Sequence, residues 1–283
     1  MSTKGGVTEP DTPSGPVETE TPFGLSLSKP CPLLLRRSRK GGLRHAQPER
    51  AGVKPTRMGI IATLLLPLLL AACQKQAPAD PFPLPHRPVS PIVSPRYSNE
   101  DARDSVREAQ TVMRLADLQP GMKVADIGAG EGYYTVRLAP LVGKKGRVLA
   151  EDIVPQTRDN LAARVQRDNL DNVAVRLGKE NDPLLPERSF DRIFMIHMYH
   201  EIARPSEFLW HLRDALNPTG RIVVVDADRP TDRHGTPPRL LMCEFAAVGY
   251  GLTRFERLTG DAYFAQFEPS APKPAPASIP SCA

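Results

Sequence analysis

From residue 98 onward, short aliphatic runs alternate with stretches in which apolar residues recur every three or four positions. Five runs predict strands: Val124–Ile127, Arg147–Glu151, Val173–Leu177, Arg192–Ile196 and Ile222–Val225. Runs of this kind, apolar on both faces, are typical of a parallel sheet that is covered by helices. The pattern therefore predicts an α/β domain.

Helical periodicity fills the intervals between these runs. A first helix begins after Ser98, carries an apolar stripe from Val106 to Leu115 and ends near Pro120-Gly121. Further helices are predicted at Tyr133–Leu141, Pro155–Arg167, Ser206–Leu216 and Pro238–Ala247.

The chain after the last of these helices predicts a β-hairpin at the sheet edge. Its strands are Leu252–Leu258 and Ala262–Phe267, joined by a turn at Thr259-Gly260-Asp261. Five β/α units closed by a hairpin predict a seven-stranded, mostly parallel sheet with helices on both faces. A plain dinucleotide-binding fold would end on another parallel strand instead.

The most informative segment is the glycine-rich turn that follows the first strand. It reads Val124-Ala-Asp-Ile-Gly-Ala-Gly-Glu-Gly132, and glycine both permits positive φ and lets a ligand approach the backbone. A dinucleotide fingerprint would need its third glycine at position 133, which is Tyr133. The spacing therefore favours adenosine and methionine moieties over a pyrophosphate.

A pair of acids, Glu151 and Asp152, ends the second strand about 20 residues after the glycine turn. A carboxylate at this point of such folds accepts hydrogen bonds from ribose hydroxyls, and we prefer Asp152 for this role. The alternative is a solvated charge at the end of a strand.

These motifs resemble those of the class I S-adenosylmethionine-dependent methyltransferases. Asp126–Gly132 is similar to the family's first motif, Asp152 to its second, Gly178–Asp191 to its third, and Leu216–Asp226 to its entry into the fifth strand. The resemblance implies a Rossmann-like fold, S-adenosyl-L-methionine as cofactor, and contacts from Asp126 to the methionine amino group with Gly128, Gly130 and Gly132 beside it.

The contact to adenine departs from the family pattern. Many members carry Asp where this chain has Lys179, so Glu180 or Asp182 is expected to take that place. Asp101–Asp104 with Gly132–Thr135 is also similar to a bacterial group of exported methyltransferases.

The loop after the fourth strand carries the candidate catalytic residues His197, Tyr199 and His200. It lies at the carboxyl edge of the sheet, where this fold binds its ligands. His200 is the candidate base, while His197 and Tyr199 are expected to orient a substrate hydroxyl. A histidine here can instead be a structural group that caps the loop.

Other potential ligands predict no metal site. The cysteines Cys31, Cys73, Cys243 and Cys282 form no zinc-like spacing. Asp226 and Asp228 could reach a substrate or a metal, but two acids at a strand end are commonly solvated, and we interpret them in this way.

Charge lies mainly at the amino-terminal end. Residues 1–57 hold ten Lys/Arg against five Asp/Glu, and the rest of the chain carries 27 of each. A body without basic excess argues against nucleic acid as a partner. A small-molecule substrate is expected instead.

An export signal is predicted ahead of the domain. Residues 1–57 are interpreted as a disordered leader with a misassigned start, and residues 58–73 as a lipoprotein signal that ends in Leu70-Ala71-Ala72-Cys73. Cys73 is the expected lipidation site. Gln74 after it favours the periplasmic face of the outer membrane, so the protein's membrane contact would be a lipid anchor.

Proline dominates both flanks of the domain. Residues 74–97 are interpreted as an extended tether, residues 98–269 as the methyltransferase domain, and residues 270–283 as a loose tail. Two functions remain open: methyl transfer to an unidentified small molecule, and cofactor-fold binding without catalysis.

Overall fold

The computed structural model describes residues 80–92 and 99–282. Within these residues the strands are β1 (Lys123–Ile127), β2 (Arg147–Asp152), β3 (Val173–Leu177), β4 (Phe190–Ile196), β5 (Leu216–Ala227), β6 (Tyr250–Arg257) and β7 (Ala262–Pro269). The helices are α1 (Glu100–Ser105), α2 (Glu108–Leu115), α3 (Thr135–Val142), α4 (Pro155–Arg167), α5 (Pro205–Ala215) and α6 (Pro238–Ala247).

The seven strands form one sheet in the order β3-β2-β1-β4-β5-β7-β6. Strands β1 to β5 are parallel, and β7 runs antiparallel to both β5 and β6. The predicted sheet and its terminal hairpin are confirmed. After β1 the chain continues to β2 on one side of the sheet, and after β4 it continues to β5 on the other side. This change of direction opens a crevice between β1 and β4 at the carboxyl ends of the two strands.

Helices cover both faces of the sheet. Phe264 of β7 belongs to a buried cluster with residues of α2 and α3. Phe267, three positions along the same strand, faces the other way and stacks on Phe245 of α6 with ring centroids 3.9 Å apart. The core therefore consists of two layers, one on each side of the sheet.

The single opening helix predicted from Ser98 onward is instead two helices. Arg107 adopts φ 53°, which ends α1 and lets α2 begin at Glu108 in a new direction. The break leaves Val106 exposed, although it was placed in the apolar stripe. None of the α1 residues is buried, whereas Val112 and Met113 of α2 are core residues.

Residues 80–92, the described part of the predicted tether, are packed on the domain. Arg87 forms a buried ion pair with Glu244 of α6, with Nε 2.8 Å from Oε1. The amide of Ser90 donates to the carbonyl of His200 over 3.2 Å. Proline spacing predicted extended backbone, but Arg87 and Ser90 supply polar contacts that hold residues 80–92 in place.

The expected loose tail is also packed on the domain. Lys273 lies 3.1 Å from the centre of the Trp210 ring on α5, and the Trp210 indole donates to the carbonyl of Pro274. A disulfide joins Cys243 of α6 to Cys282. Composition alone could not show these contacts, because they depend on partners in two distant helices.

The predicted leader, the lipoprotein signal with Cys73, and residues 74–79 and 93–97 of the predicted tether lie outside the described residues. Among residues 80–92 and 99–282, no helix is both long and apolar enough to cross a membrane.

Candidate active site

A cavity of about 380 Å³ lies at the carboxyl ends of β1, β2, β4 and β5. Its walls include the glycine turn after β1, the acids at the end of β2, the loop after β4 and the segment after β5. This volume is within the range of small-molecule and cofactor sites. The topology therefore brings most of the predicted site residues into one space.

The three glycines of the turn all have positive φ, at 64°, 56° and 88° for Gly128, Gly130 and Gly132. A Cβ on Gly128 would lie 3.0 Å from Met198, and one on Gly132 would lie 2.4 Å from Leu161. A Cβ on Gly130 would meet nothing within 4 Å. Two glycines thus permit close packing, and Gly130 keeps backbone open to the cavity.

Asp126 closes the floor of the cavity at the end of β1. It is 2% exposed, and Thr135 Oγ1 donates to its Oδ2 over 2.6 Å. Burial raises the pKa of Asp126 to about 6, against the lowering effect of the Thr135 hydrogen bond. The threonine at the start of α3 therefore fixes the carboxylate next to the turn.

Asp152 and Glu151 have different surroundings. Asp152 accepts hydrogen bonds from the amides of Gly130 and Val154 at 3.0 and 2.9 Å, so each of its oxygens already has a backbone donor. Glu151 is 1% exposed, and its Oε1 has no hydrogen-bond partner in the part of the chain that is described. Burial and the charge of Asp152 raise the pKa of Glu151 to about 8.

Asp182 does not line this cavity. It lies in a neighbouring depression with Glu207 and His211, and its Oδ1 accepts from the amide of Leu184. Lys179 and Glu180 line the cavity instead. A bridge between Lys179 and Asp182 folds the loop back, which turns Asp182 away from the carboxyl edge of β2.

His200 lines the same cavity from the loop after β4. It is 4% exposed, and its Nδ1 lies 2.9 Å from Oδ1 of Asp226 at the end of β5. Asp226 is fully buried rather than solvated as the sequence had suggested, while Asp228 pairs with Arg257 near the surface. The structure thus joins the candidate base to a buried carboxylate.

His197 also lines the cavity, in an unusual backbone conformation. Its φ is 54°, and its Nε2 lies 3.3 Å from Oε2 of Glu108 on α2. Burial would raise the pKa of Glu108, but His197 and Arg103 lower it to about 2. This contact ties the loop after β4 to the helix above the cavity.

Tyr199 does not reach the cavity, contrary to its predicted role in orienting a substrate. It is fully buried, and its hydroxyl donates to Oε2 of Glu244 over 2.7 Å. The loop after β4 turns into a short 3₁₀ helix, Tyr199–Glu201, which directs Tyr199 into the core and His200 towards the cavity.

Several lining residues were missed from the sequence. Arg103 and Glu108 come from the opening helices, and Glu201 and His234 flank His200. The guanidinium of Arg103 lies 3.9 Å from the centre of the Tyr133 ring. Glu201 adjoins a predicted residue, but no spacing pattern connects it with His234, 33 positions later.

The central part of this chain is similar in sequence to known proteins. Residues 118–247 match the family model described as a methyltransferase domain. Protein-L-isoaspartate O-methyltransferase 2 of Archaeoglobus fulgidus is 31% identical over 114 residues, which cover 40% of this chain and 49% of that protein. Nocamycin O-methyltransferase of Saccharothrix syringae is 38% identical over 84 residues, 29% of this chain and 30% of that protein.

A solved structure extends the similarity. The S-adenosylmethionine-dependent methyltransferase from Aquifex aeolicus superposes with a TM-score of 0.55 at 26% identity, covering 59% of this chain and 92% of that one. In contrast, the match spans about half the length, or less, of the two curated relatives.

The residues present fit an adenosyl cofactor. The open backbone at Gly130 gives a ligand access to the turn, and the buried Glu151 Oε1 offers an acceptor for a hydroxyl donor. Asp126 provides a buried carboxylate at the same turn. Fold and family model agree: residues 118–247 match a methyltransferase domain, the seven-stranded sheet is the Rossmann-like methyltransferase fold, and the cofactor that this likeness implies is S-adenosylmethionine.

Proposed function

We propose that this protein transfers a methyl group from S-adenosylmethionine to an oxygen atom of a small-molecule acceptor. The observation that carries the proposal is the single cavity that contains both the glycine turn and the His200–Asp226 pair. Its volume of about 380 Å³ leaves only modest space beside a cofactor, which favours a small acceptor.

The cofactor half of the cavity is formed by β1 and β2. Asp126 and the backbone around Gly128 to Gly132 hold the methionine end, and Glu151 accepts hydrogen bonds from the ribose hydroxyls. Asp152 supports this arrangement by holding the amides of Gly130 and Val154. The bound cofactor supplies an electrophilic methyl group on a positively charged sulfur.

The acceptor half is formed by the loops after β4 and β5. If Nδ1 of His200 donates to Asp226, Nε2 carries the lone pair and is the atom presented to the acceptor. His200 promotes loss of the acceptor proton as the acceptor oxygen attacks the methyl carbon. His197, tied to Glu108, positions the acceptor from the other side of the loop.

The names of the curated relatives support an oxygen acceptor. The matching proteins from Archaeoglobus fulgidus and Saccharothrix syringae are both O-methyltransferases by name, one for protein L-isoaspartate and one for nocamycin. Their acceptors differ widely in size, so the relatives support the reaction more than the identity of the substrate.

Binding and turnover test this proposal separately. Calorimetry of the full-length chain should show binding of S-adenosylhomocysteine, and Gly130→Val should abolish it, because valine is strained at φ 56° and projects into the cavity. Metabolite extracts with methyl-labelled cofactor should yield a labelled product. His200→Ala should lower its rate about 10²–10⁴-fold at unchanged cofactor affinity.

Two results contradict the proposal. Equal binding by the wild type and Gly130→Val removes the assigned site. Tight binding without any labelled acceptor supports the other function left open by the sequence, a cofactor-fold binding protein without catalysis.

We further propose that the protein is exported and anchored by lipid at Cys73, on the periplasmic face of the outer membrane. The disulfide between Cys243 and Cys282 supports export, because such bonds form and persist in oxidising compartments. The signal-like segment before Cys73 supports the anchor.

A further inference from the structure

Three potential metal ligands meet at the acceptor end of the cavity. They are His200, Glu201 and His234, whose ligand atoms all lie within 4.8 Å of one another. His200 and Glu201 belong to the 3₁₀ helix after β4, and His234 follows a second 3₁₀ helix, Thr231–Arg233, after β5. All three residues line the cavity that holds the cofactor site.

His200 is oriented as a metal ligand by a buried carboxylate. Its Nδ1 lies 2.9 Å from Asp226 Oδ1, and its Nε2 lies 4.0 Å from Glu201 Oε1. A carboxylate on one imidazole nitrogen fixes the tautomer and raises the basicity of the other nitrogen, the common arrangement behind metal-bound histidines. The free lone pair of His200 therefore points to the side where Glu201 lies.

Ser90 links the two loops that carry the ligands. Its amide donates to the carbonyl of His200 over 3.2 Å, its hydroxyl donates to the carbonyl of Thr231, and the amide of His234 donates to that hydroxyl over 3.2 Å. Ser90 is 3% exposed. One buried residue, through its amide and its hydroxyl, thus sets the spacing between His200 and His234.

Charge at this end of the cavity also favours a cation. Asp226 is fully buried and Glu201 is partly buried, so two neutral imidazoles and two carboxylates carry a formal charge of −2. A divalent ion neutralises this charge.

We propose that His200, Glu201 and His234 bind one divalent transition-metal ion of the zinc class. Two imidazoles and one carboxylate are a common ligand set for such ions and leave coordination positions open. Tetrahedral ligands about 2.0–2.2 Å from an ion lie roughly 3.4 Å apart, so small side-chain rotations close the observed separations. The open positions face the cavity.

The ion's role in catalysis rests on the proposed function, whereas its binding does not. An acceptor hydroxyl coordinated to the ion loses its proton to water, because the cation lowers the pKa of a bound hydroxyl. The oxygen then forms the bond to the methyl carbon as the carbon–sulfur bond breaks, and that electron pair stays on sulfur. With the ion bound, Nε2 of His200 is a ligand and no longer faces the acceptor, so His200 promotes proton loss only through the ion, while its Nδ1 keeps the contact with Asp226.

Cobalt titration of the full-length chain, prepared without a histidine tag and stripped by chelation, tests the site. We expect one equivalent of Co²⁺ to bind with visible absorption bands and to be displaced by Zn²⁺. Glu201→Gln and His234→Ala should each weaken Co²⁺ binding more than about 100-fold, and Asp226→Asn about 10–100-fold. His211→Ala is the matched control, because His211 also lies 4.0 Å from a carboxylate, that of Asp182.

Calorimetry with S-adenosylhomocysteine on each variant shows that the fold and the cofactor half are intact. Absence of Co²⁺ binding by the wild type, or equal binding by Glu201→Gln and His234→Ala, overturns the metal site. The metal site can be overturned in this way while methyl transfer is unaffected by a chelator and is still slowed by His200→Ala. In that case His200 itself acts as the base. Metal binding without cofactor binding or transfer retains the ion site and contradicts the proposed function instead.

Discussion

Three carboxylates crowd the cofactor half of the cavity, and each has a raised pKa. Burial raises the pKa of Asp126 to about 6, that of Glu151 to about 8, and that of Asp152 in the same direction. Glu151 is the one whose Oε1 has no hydrogen-bond partner within the described residues. Without a ligand, Glu151 therefore carries a proton at neutral pH. Glu151 must lose this proton before its carboxylate can accept hydrogen bonds from a ligand's hydroxyl groups.

Cofactor affinity should therefore rise with pH. If ribose hydroxyls donate to ionised Glu151, binding releases its proton, and the Kd of S-adenosylhomocysteine should fall by up to about tenfold per unit between pH 6 and 8 and then level off. Calorimetry across this range should show the slope in the wild type and lose it in Glu151→Gln. Asp152→Asn removes a charge that raises the pKa of Glu151, so in this variant the slope should remain but level off at a lower pH.

The unliganded protein should show the opposite trend in stability. The folded pKa of Glu151 is raised from its ordinary 4.5, so its contribution is fully present below pH 4.5 and is lost as pH rises towards 8. Thermal unfolding without ligand should lose this component in Glu151→Gln. Identical pH profiles for that variant and the wild type, in both binding and unfolding, exclude Glu151 as the titrating group.

At this scale, sequence placed residues that directly follow a strand better than residues in longer loops. Gly128, Gly130 and Gly132 follow a buried strand directly, so their position at the sheet edge is fixed by the strand. Tyr199 and Asp182 lie in loops whose folding directs their side chains elsewhere, and only coordinates show those directions. His234 was missed because its proximity to His200 depends on the β4–β5 pairing.

Among the helices, α1 is held by charge. Glu100 pairs with Arg137 and Arg164 at 3.2 and 2.6 Å, and Asp104 pairs with Arg137 at 2.7 Å. No α1 residue is buried, so these contacts to α3 and α4 replace apolar packing. In α2, by contrast, Ala109, Val112, Met113 and Leu115 are buried.

Salt should loosen α1 selectively. Exposed ion pairs are screened as the Debye length falls from about 10 Å at 0.1 M to about 3 Å at 1 M salt, whereas apolar burial is not weakened in this way. Hydrogen exchange of α1 amides should accelerate between these two concentrations. The amides of α2 are the internal control. Equal protection of α1 at both concentrations would show that its ion pairs do not hold it.

Periodicity predicted a helix or strand correctly where the residues of that segment alone determine its structure. Val173–Leu177 and Pro155–Arg167 have the bounds that the sequence predicted. The break at Arg107 cannot be predicted from periodicity, because one long helix and two shorter helices would show the same apolar stripe in the sequence. The packing of both proline-rich flanks depended on Glu244 and Trp210, which lie far away in sequence.

For the whole molecule, the expected location follows from the predicted lipid anchor. Cys73→Ser should move the protein from the membrane fraction to the soluble fraction, because acylation requires the thiol. Mass spectrometry of the membrane fraction should find the diacylglycerol on Cys73. Cys243→Ser is the control: it replaces another cysteine of the mature chain and leaves Cys73 in place, so no change of fraction is expected. An abundant unmodified Cys73 peptide would contradict the anchor.

The bond between Cys243 and Cys282 also determines what happens when the backbone is cut. It closes a covalent ring that contains the second half of α6 and the whole hairpin of β6 and β7. A protease that cleaves the exposed turn at Gly260 opens this ring but releases no fragment, because both pieces remain joined through sulfur. A nicked molecule would therefore keep all seven strands on one covalent unit and could lose the strand β7 only after reduction of the disulfide.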